Sequence, residues 1–280
     1  MIKPDRILLL GHLGELAGVF ETTAGGPVYA VEPTLSVEGA LERMAVRHFD
    51  LVIADTELAP GGTTDLLRSL LAMQPKVKVI LLSGQVAPEE VIEAMNEHAF
   101  SYFLRPFDIV AVRDMAQKAL EIPEWDDGLE VLSADPNYLT LLMRCRLTTA
   151  ERLYQFLLAM KSGMRDEEKA QIAAAFREML LNAIEHGGKL NPNERVRVSR
   201  IRTKRALVYH IQDPGQGFNR DNLPHAAVSN PETDPLAHLK VRAREGMRAG
   251  GFGLLVAKEL VDEVIYNQRG NEVILIKHLD

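Results

Sequence analysis

Two domains of different class are predicted from the sequence: a doubly wound α/β sheet in the first half and a two-layer α+β sandwich in the second. Three observations predict this. From about residue 5 to 121, short apolar runs alternate with segments of helical period, the pattern of a parallel sheet covered on both faces. Glu121-Ile122-Pro123-Glu124-Trp125-Asp126-Asp127-Gly128 then breaks the periodicity with Pro, Gly and acids, as a domain boundary does. Beyond it, helix-period segments give way to paired strand-like runs, the order expected for helices layered on an antiparallel sheet. A length of 280 residues gives each half enough chain for its own core. The domains are placed at 1–121 and 129–280, with 122–128 as the linker. Trp125, the only tryptophan, is expected to pin the halves together.

In the first half, Ile7-Leu8-Leu9-Leu10, closed by Gly11, reads as a strand buried on both faces. A second strand is expected over 28–31. Ser36 reads as the cap of a helix carrying Val37, Ala40, Leu41 and Met44 at helical spacing. Leu51-Val52-Ile53-Ala54 is the next strand and ends at Asp55. A helix over 64–73, a strand over 77–82 ending at Ser83-Gly84, a helix over 88–98, a strand over 102–104 and a helix over 108–120 complete the alternation.

In the second half, a strand is expected over 129–133. Asp135-Pro136 then reads as the start of a helix to about 160, with Pro at its first position. Gly163 ends that helix, and Asp166 caps the next. Strands over 196–203 and 206–212 meet at Lys204-Arg205, and a later hairpin over 264–267 and 272–277 turns at Arg269-Gly270-Asn271.

Bulk properties narrow the function. A net charge of −7 argues against a general nucleic-acid binder, which needs a net basic face. The local cluster Arg195, Arg197, Arg200, Arg202, Lys204 and Arg205 reads first as the solvated edge of a hairpin, kept from aggregating by charge. Its second reading is a docking face for an acidic partner, and DNA binding ranks third. Cys145 is the only cysteine, so an internal disulfide and a cysteine metal cluster are both excluded, which fits a reducing compartment. The apolar run near the N-terminus is too short for a signal sequence, and no run approaches a membrane span. A cytoplasmic protein without a membrane partner is expected.

The helix after Asp166 carries the candidate chemistry. Glu178 and Asn182 are spaced i, i+4 and share a face, beside an apolar arc of Ile172, Phe176, Leu180, Ala183 and Ile184. Glu185 and His186 extend the polar arc, and Gly187-Gly188 stops the helix. Downstream, Asp213-Pro214-Gly215-Gln216-Gly217-Phe218 sets a carboxylate at a strand end, before glycines that admit a ligand close to the backbone. Such a carboxylate can accept a hydrogen bond from an adenine amino group. Arg248-Ala249-Gly250-Gly251-Phe252-Gly253-Leu254 opens a further helix, and a glycine-rich helix N-terminus suits phosphate. The stretch 219–247 between them is long, with little periodicity, and is placed to act as a lid.

Asp55, Ser83 and Arg105-Pro106 stand in order at strand C-termini, where ligand chemistry belongs in such a sheet. On these residues the first half resembles a response-regulator receiver domain of the flavodoxin-like (βα)5 fold. Asp55 takes the phosphoacceptor's place, Ser83 that of the hydroxyl residue, and Arg105-Pro106 that of Lys-Pro. The family's acidic pair after the first strand is replaced by Gly11-His12, so a bound Mg²⁺ would lose most of its ligands. The half therefore reads as a degenerate receiver serving docking or homodimerisation. Asp55 reads as a leftover strand-end carboxylate, with an unconventional phosphorylation site as the alternative, and Ser83 and Arg105 as strand-end residues bonded to each other.

The second half resembles the Bergerat-type ATP-binding domain shared by gyrase, chaperone and histidine-kinase ATPases. Within that superfamily it is most similar to the anti-sigma-factor serine kinases, on Ser133-Ala134-Asp135-Pro136, the Asn182-Ala183-x-x-His186-Gly187 run and the Asp213 box. The resemblance implies ATP and Mg²⁺ as cofactors. It gives Asn182 the metal, Asp213 the adenine, Gly215 and Gly217 room for the base, Gly250, Gly251 and Gly253 the phosphates, and Glu178 the role of general base. His186 stays open between a helix-end cap and proximity to the ligand. No His occurs from residue 99 to 185, which disfavours an autophosphorylating histidine kinase, and a gyrase-type or chaperone-type ATPase would carry a further domain after this one. The expected function is a serine/threonine kinase acting on a STAS-type anti-sigma-factor antagonist. The alternative is a non-catalytic, ATP-binding adaptor that sequesters a sigma factor or another regulator.

Overall fold

The computed structural model describes residues 5–21, 29–84, 87–122, 126–217, 244 and 253–279. They divide into two compact units, Met1–Asp127 with Gln155–Lys161, and Gly128–Tyr154 with Ser162–Asp280. Trp125 and, Arg244 apart, the candidate lid 219–247 lie outside the described residues.

The first unit is a five-stranded parallel sheet in the order β2-β1-β3-β4-β5. Its strands are β1 (Asp5–Leu10), β2 (Tyr29–Thr34), β3 (Leu51–Asp55), β4 (Lys78–Ser83) and β5 (Ser101–Leu104). Its helices are α1 (Gly14–Glu21), α2 (Val37–Val46), α3 (Gly62–Met73), α4 (Pro88–Asn96) and α5 (Ile109–Glu121). Side chains alternate across each strand, so Ile7, Leu9, Ile53, Ile80 and Leu82 face a core that also takes Leu16 and Phe20 of α1 and Val112 and Met115 of α5. All of β3 and β4 is buried, which is why these strands read as unbroken apolar runs. Ser36 caps α2 as expected, its Oγ accepting from the Gly39 N–H at 3.1 Å. Helix α1 is an addition to the sequence reading. Gly14 and Gly18 dilute its helical signal, and packing of Leu13, Leu16 and Phe20 into the core holds it in place.

The second unit is a six-stranded antiparallel sheet in the order β10-β11-β9-β8-β7-β6. Its strands are β6 (Leu129–Asp135), β7 (Tyr138–Arg144), β8 (Arg195–Arg202), β9 (Ala206–Gln212), β10 (Glu263–Tyr266) and β11 (Glu272–His278). With it go α6 (Leu147–Ala159), whose residues to Tyr154 belong to this unit, α7 (Asp166–Asn182) and α8 (Gly253–Leu260).

The single helix expected from Asp135 to about 160 is replaced by strand β7 and helix α6. Asp135 caps no helix. Its Oδ1 accepts from the N–H groups of Asn137 at 2.7 Å and Tyr138 at 3.0 Å, closing a tight β6–β7 turn. Leu139, Leu141 and Met143 are buried at period two, and the apolar Leu142 between them gave the false helical spacing. Ser133-Ala134-Asp135-Pro136 therefore lies in a hairpin rather than ahead of a helix. At α7, the cap residue is Arg165 rather than Asp166, and its N–H donates to Glu168 Oε2 at 3.2 Å. Asp166, Glu167 and Glu168 place charge in the first turn, where the helix dipole favours it.

One sheet face carries the core in register. Leu141, Val198, Ile211 and Val273 form one row, and Leu139, Arg200, Tyr209 and Leu275 the next, all buried. Phe176 of α7 lies against Tyr209 with ring centroids 4.5 Å apart. The basic cluster is dispersed by this alternation. Arg200 points inward at 1% exposure, Arg202 Nε donates to the Ser162 carbonyl at 2.6 Å, and Arg195 pairs with Glu130. Strand β8 is interior to the sheet, which overturns its reading as a hairpin edge.

Candidate functional site

Helix α7 ends in a widened turn. After Asn182, residues Ala183–Gly187 form a π-turn, with the Gly188 N–H bonding the Ala183 carbonyl at 2.8 Å. Such turns recur where a helix must present side chains to a ligand. Lys189 and Leu190 follow at positive φ, 52° and 54°, an uncommon conformation for residues with side chains. Glu178 and Asn182 lie one turn apart before this feature, both partly exposed. Glu178 Oε1 lies 4.0 Å from Arg177 Nη1, and its side chain is 32% exposed.

The start of α8 closes on these two residues. A Cβ at Gly253 would stand 2.8 Å from Glu178 Oε2 and 3.5 Å from Asn182 Nδ2. Only a glycine lets the helix N-terminus come this near with the α7 side chains undisturbed. Gly250 and Gly251 lie outside the described residues.

At the other end of the π-turn stands Asp213, just beyond β9. A Cβ at Gly187 would overlap the Asp213 side chain, and one at Gly215 would come within 2.7 Å of Asp213 Oδ1 and 3.0 Å of Gly187 Cα. The carboxylate is thus seated between two glycines. Its Oδ1 accepts from the Gly215 N–H at 2.7 Å, its only hydrogen bond among the described residues. Burial pushes the Asp213 carboxyl above the ordinary aspartate range, opposed by the Gly215 N–H and by the nearby Arg269 charge. Gly217 adopts φ +82° against the Arg269 carbonyl, where a side chain would collide with backbone.

Sequence reasoning missed the parts that hold this corner from a distance. The Asp213 N–H donates to the Asn271 carbonyl at 3.0 Å, and Asn271 Nδ2 donates to the Asp213 carbonyl at 3.2 Å. Arg269 Nε donates to the Gln216 carbonyl at 3.1 Å. Cys145 lies under Gly188, where a Cβ would strike its Sγ. Burial, with the Glu194 and Asp213 charges adding to it, pushes the Cys145 thiol up to about 11, so it is an uncharged packing group near neutrality. His186 is exposed on the π-turn.

In the first unit, Asp55 is 7% exposed at the end of β3. Its Oδ2 accepts from Arg105 Nη2 at 2.7 Å and its Oδ1 from the Glu57 N–H at 3.1 Å. Arg105 and Ser83 are bonded through the backbone, Arg105 N–H to the Ser83 carbonyl at 2.7 Å, while the Arg105 side chain goes to Asp55. Gly11, at φ +131°, is pressed so closely on Asp55 that a Cβ would stand 2.7 Å from the Asp55 Cβ. His12 beside it is exposed. Arg105 Nη2 and the Glu57 N–H thus take one oxygen each of the Asp55 carboxylate, while Arg105 Nη1 is buried without a hydrogen-bond partner among the described residues.

Among the described residues, no group of three or more His, Cys, Asp or Glu could hold a metal, and no helix is long and apolar enough to cross a membrane. The residues of the second unit fit a nucleotide: the half-buried Asp213 carboxylate between glycines suits an amino-bearing base, and the N-terminus of α8 beside Asn182 suits phosphates. A divalent cation there would have the Asn182 amide oxygen available and would take its other ligands from phosphate and water.

Residues 143–277 match the family described as histidine kinase-like ATPase domain, and residues 17–117 match the response regulator receiver domain. Transcriptional regulatory protein ZraR of Escherichia coli O157:H7 is 29% identical over 33% of this chain and 21% of its own length. Response regulator protein PilR of Pseudomonas aeruginosa is 23% identical over 44% of this chain and 28% of its own. The chain thus spans less than a third of the length of these relatives. Among solved structures, a CheY-like receiver domain protein of Methanospirillum hungatei JF-1 is 21% identical with a TM-score of 0.39, covering 42% of this chain and 95% of that one. The signal receiver domain of an HD domain-containing protein of Pseudomonas fluorescens Pf-5 is 25% identical with a TM-score of 0.37, over the same shares.

The raised Asp213 carboxyl has a stability consequence. A folded-state value above the unfolded one means that stability from this group is fully present below the unfolded value, about 3.9, and is lost as pH rises through the folded one. Asp213→Asn keeps an acceptor for Gly215 and removes the buried charge. In urea unfolding the variant is expected to be at least as stable as the parent at pH 7, with the difference shrinking as pH falls towards 4. A parent that gains on the variant as pH rises would contradict the assignment.

Proposed function

From a chain that joins a response regulator receiver domain to a histidine kinase-like ATPase domain, we propose a cytoplasmic signalling kinase that transfers phosphate from Mg-ATP to a serine or threonine of another protein. Its substrate is a STAS-type antagonist in an anti-sigma-factor switch. The observation that carries this reading is the closure of Gly253 on both Glu178 and Asn182, with Asp213 seated at the far end of the same π-turn. When bound, Mg-ATP supplies the transferable phosphoryl group. Asn182 would contribute its side-chain oxygen to the metal, Asp213 would accept from the adenine amino group, and the glycines at 215 and 217 would leave the base room. The phosphates would fall to Gly253 at the start of α8, with Gly250 and Gly251 assigned to them from the sequence motif alone.

Glu178 takes the proton of the attacking hydroxyl as its oxygen bonds to phosphorus, and ADP leaves. Phosphoryl transfer asks for positioning and charge stabilisation more than for covalent help, so one accessible carboxylate near the start of α8 suffices as base. The absence of histidine between residues 99 and 185 favours a hydroxyl on a second protein over an internal histidine.

Two measurements test this. With labelled ATP and STAS partners, Glu178→Gln is expected to keep nucleotide affinity within about twofold while transfer falls by at least about a hundredfold, the scale of general-base loss. Tight Mg-ATP binding with no transfer from the parent to any candidate would leave an ATP-gated adaptor that sequesters a sigma factor or other regulator instead. For the receiver half, we propose a docking or dimerisation module in which the Arg105 pair keeps Asp55 out of phosphoryl chemistry. Asp55 is expected to take no beryllofluoride adduct in Mg²⁺ by ¹⁹F NMR, and a stoichiometric adduct would contradict this.

A further inference from the structure

The turn between β10 and β11 is built by two asparagines that belong to none of the three nucleotide motifs. Asn267 Oδ1 accepts from the N–H groups of Gly270, Asn271 and Glu272 at 2.7, 3.1 and 3.3 Å. With its oxygen so used, Asn267 has its NH₂ left, and Nδ2 donates to Asn271 Oδ1 at 2.9 Å. That fixes the orientation of the second amide too. Asn271, only 7% exposed, must then present its own NH₂ to the Asp213 carbonyl at 3.2 Å. Its backbone carbonyl takes the Asp213 N–H at 3.0 Å. Both main-chain polar groups of Asp213 are therefore held by one residue, whose side chain is set by another four positions away.

We propose that Asn267 and Asn271 are positioning residues that set base selectivity by fixing the backbone from which the Asp213 carboxylate projects. The proposal rests on the nucleotide-binding reading above. Adenine offers that carboxylate an amino donor, whereas guanine offers a carbonyl oxygen that it repels, so selectivity depends on where the carboxylate is held. A relay of two amides holds it more narrowly than a strand end alone.

Asn267→Asp isolates the relay. The aspartate keeps the acceptor for three backbone N–H groups and so keeps the turn, but it has no NH₂ to give. The Asn271 amide then turns over to donate to the new carboxylate and withdraws from the Asp213 carbonyl. Asn271→Ala removes the same bond directly. Calorimetric titration of the full chain with ATP and with GTP in Mg²⁺ reads the effect, alongside Asp213→Asn. Asn267→Asp and Asn271→Ala are expected to weaken ATP about threefold to tenfold, the scale of one hydrogen bond, and to leave GTP within about twofold. The ATP-to-GTP ratio falls while the melting temperature of Asn267→Asp stays near that of the parent.

A purely structural role would instead move both nucleotides together with the melting temperature, and that result overturns the proposal. If Asp213→Asn loses discrimination while both asparagine variants keep it, the proposal falls and the nucleotide reading stands. If Asp213→Asn also keeps the parent's ratio, or the parent binds neither nucleotide, the nucleotide reading itself falls. Should Asn271→Ala fail to fold, Asn267→Asp decides alone.

Discussion

A carboxylate held half out of water between two glycines is the constraint on which the second domain depends. Asp213 cannot sit where it does unless residues 187 and 215 lack side chains. Among the described residues its carboxylate accepts only from the Gly215 N–H, and burial pushes the carboxyl up, opposed by that N–H and by Arg269. Carboxyls perturbed in this way cluster at functional sites. The π-turn follows from the same demand, since Asn182 must face Gly253 at one end while Gly187 meets Asp213 at the other.

The receiver half shows the opposite solution at a strand-end aspartate. Asp55 is also desolvated, but its oxygens are taken by Arg105 Nη2 and the Glu57 N–H. Gly11 confirms how tightly that corner is packed. Among the described residues the two strand-end acids thus differ: Asp55 has a guanidinium partner, and the Asp213 carboxylate has the Gly215 N–H.

What was legible in the sequence was whatever a short window encodes. Unbroken apolar runs gave β1, β3 and β4 because both faces of a parallel strand are buried. The pairing of Glu178 with Asn182 needed only helical geometry. Leu139, Leu142 and Met143 misled because a buried strand and a helix can share spacing, and the decision rested with Asp135, whose side chain closes a turn instead of capping a helix. Helix α1 was missed because tertiary packing outweighs its glycines. Arg195 through Arg205 read as one patch, although strand alternation sends Arg200 into the core and Arg195 outward. The support from Asn271 and Cys145 was illegible for a different reason: 58 residues separate Asn271 from Asp213, and no local pattern records such a bond.

In the nucleotide-binding role we propose, one π-turned helix end joins a base-reading carboxylate to a metal-binding amide. That role is tested most directly by a crystal structure of the full chain with Mg²⁺ and a non-hydrolysable ATP analogue. The adenine amino group is expected within about 3 Å of the Asp213 carboxylate, the Asn182 oxygen on the metal, and the phosphates against the Gly253 end of α8. A base bound away from Asp213, or phosphates remote from Asn182, would contradict it.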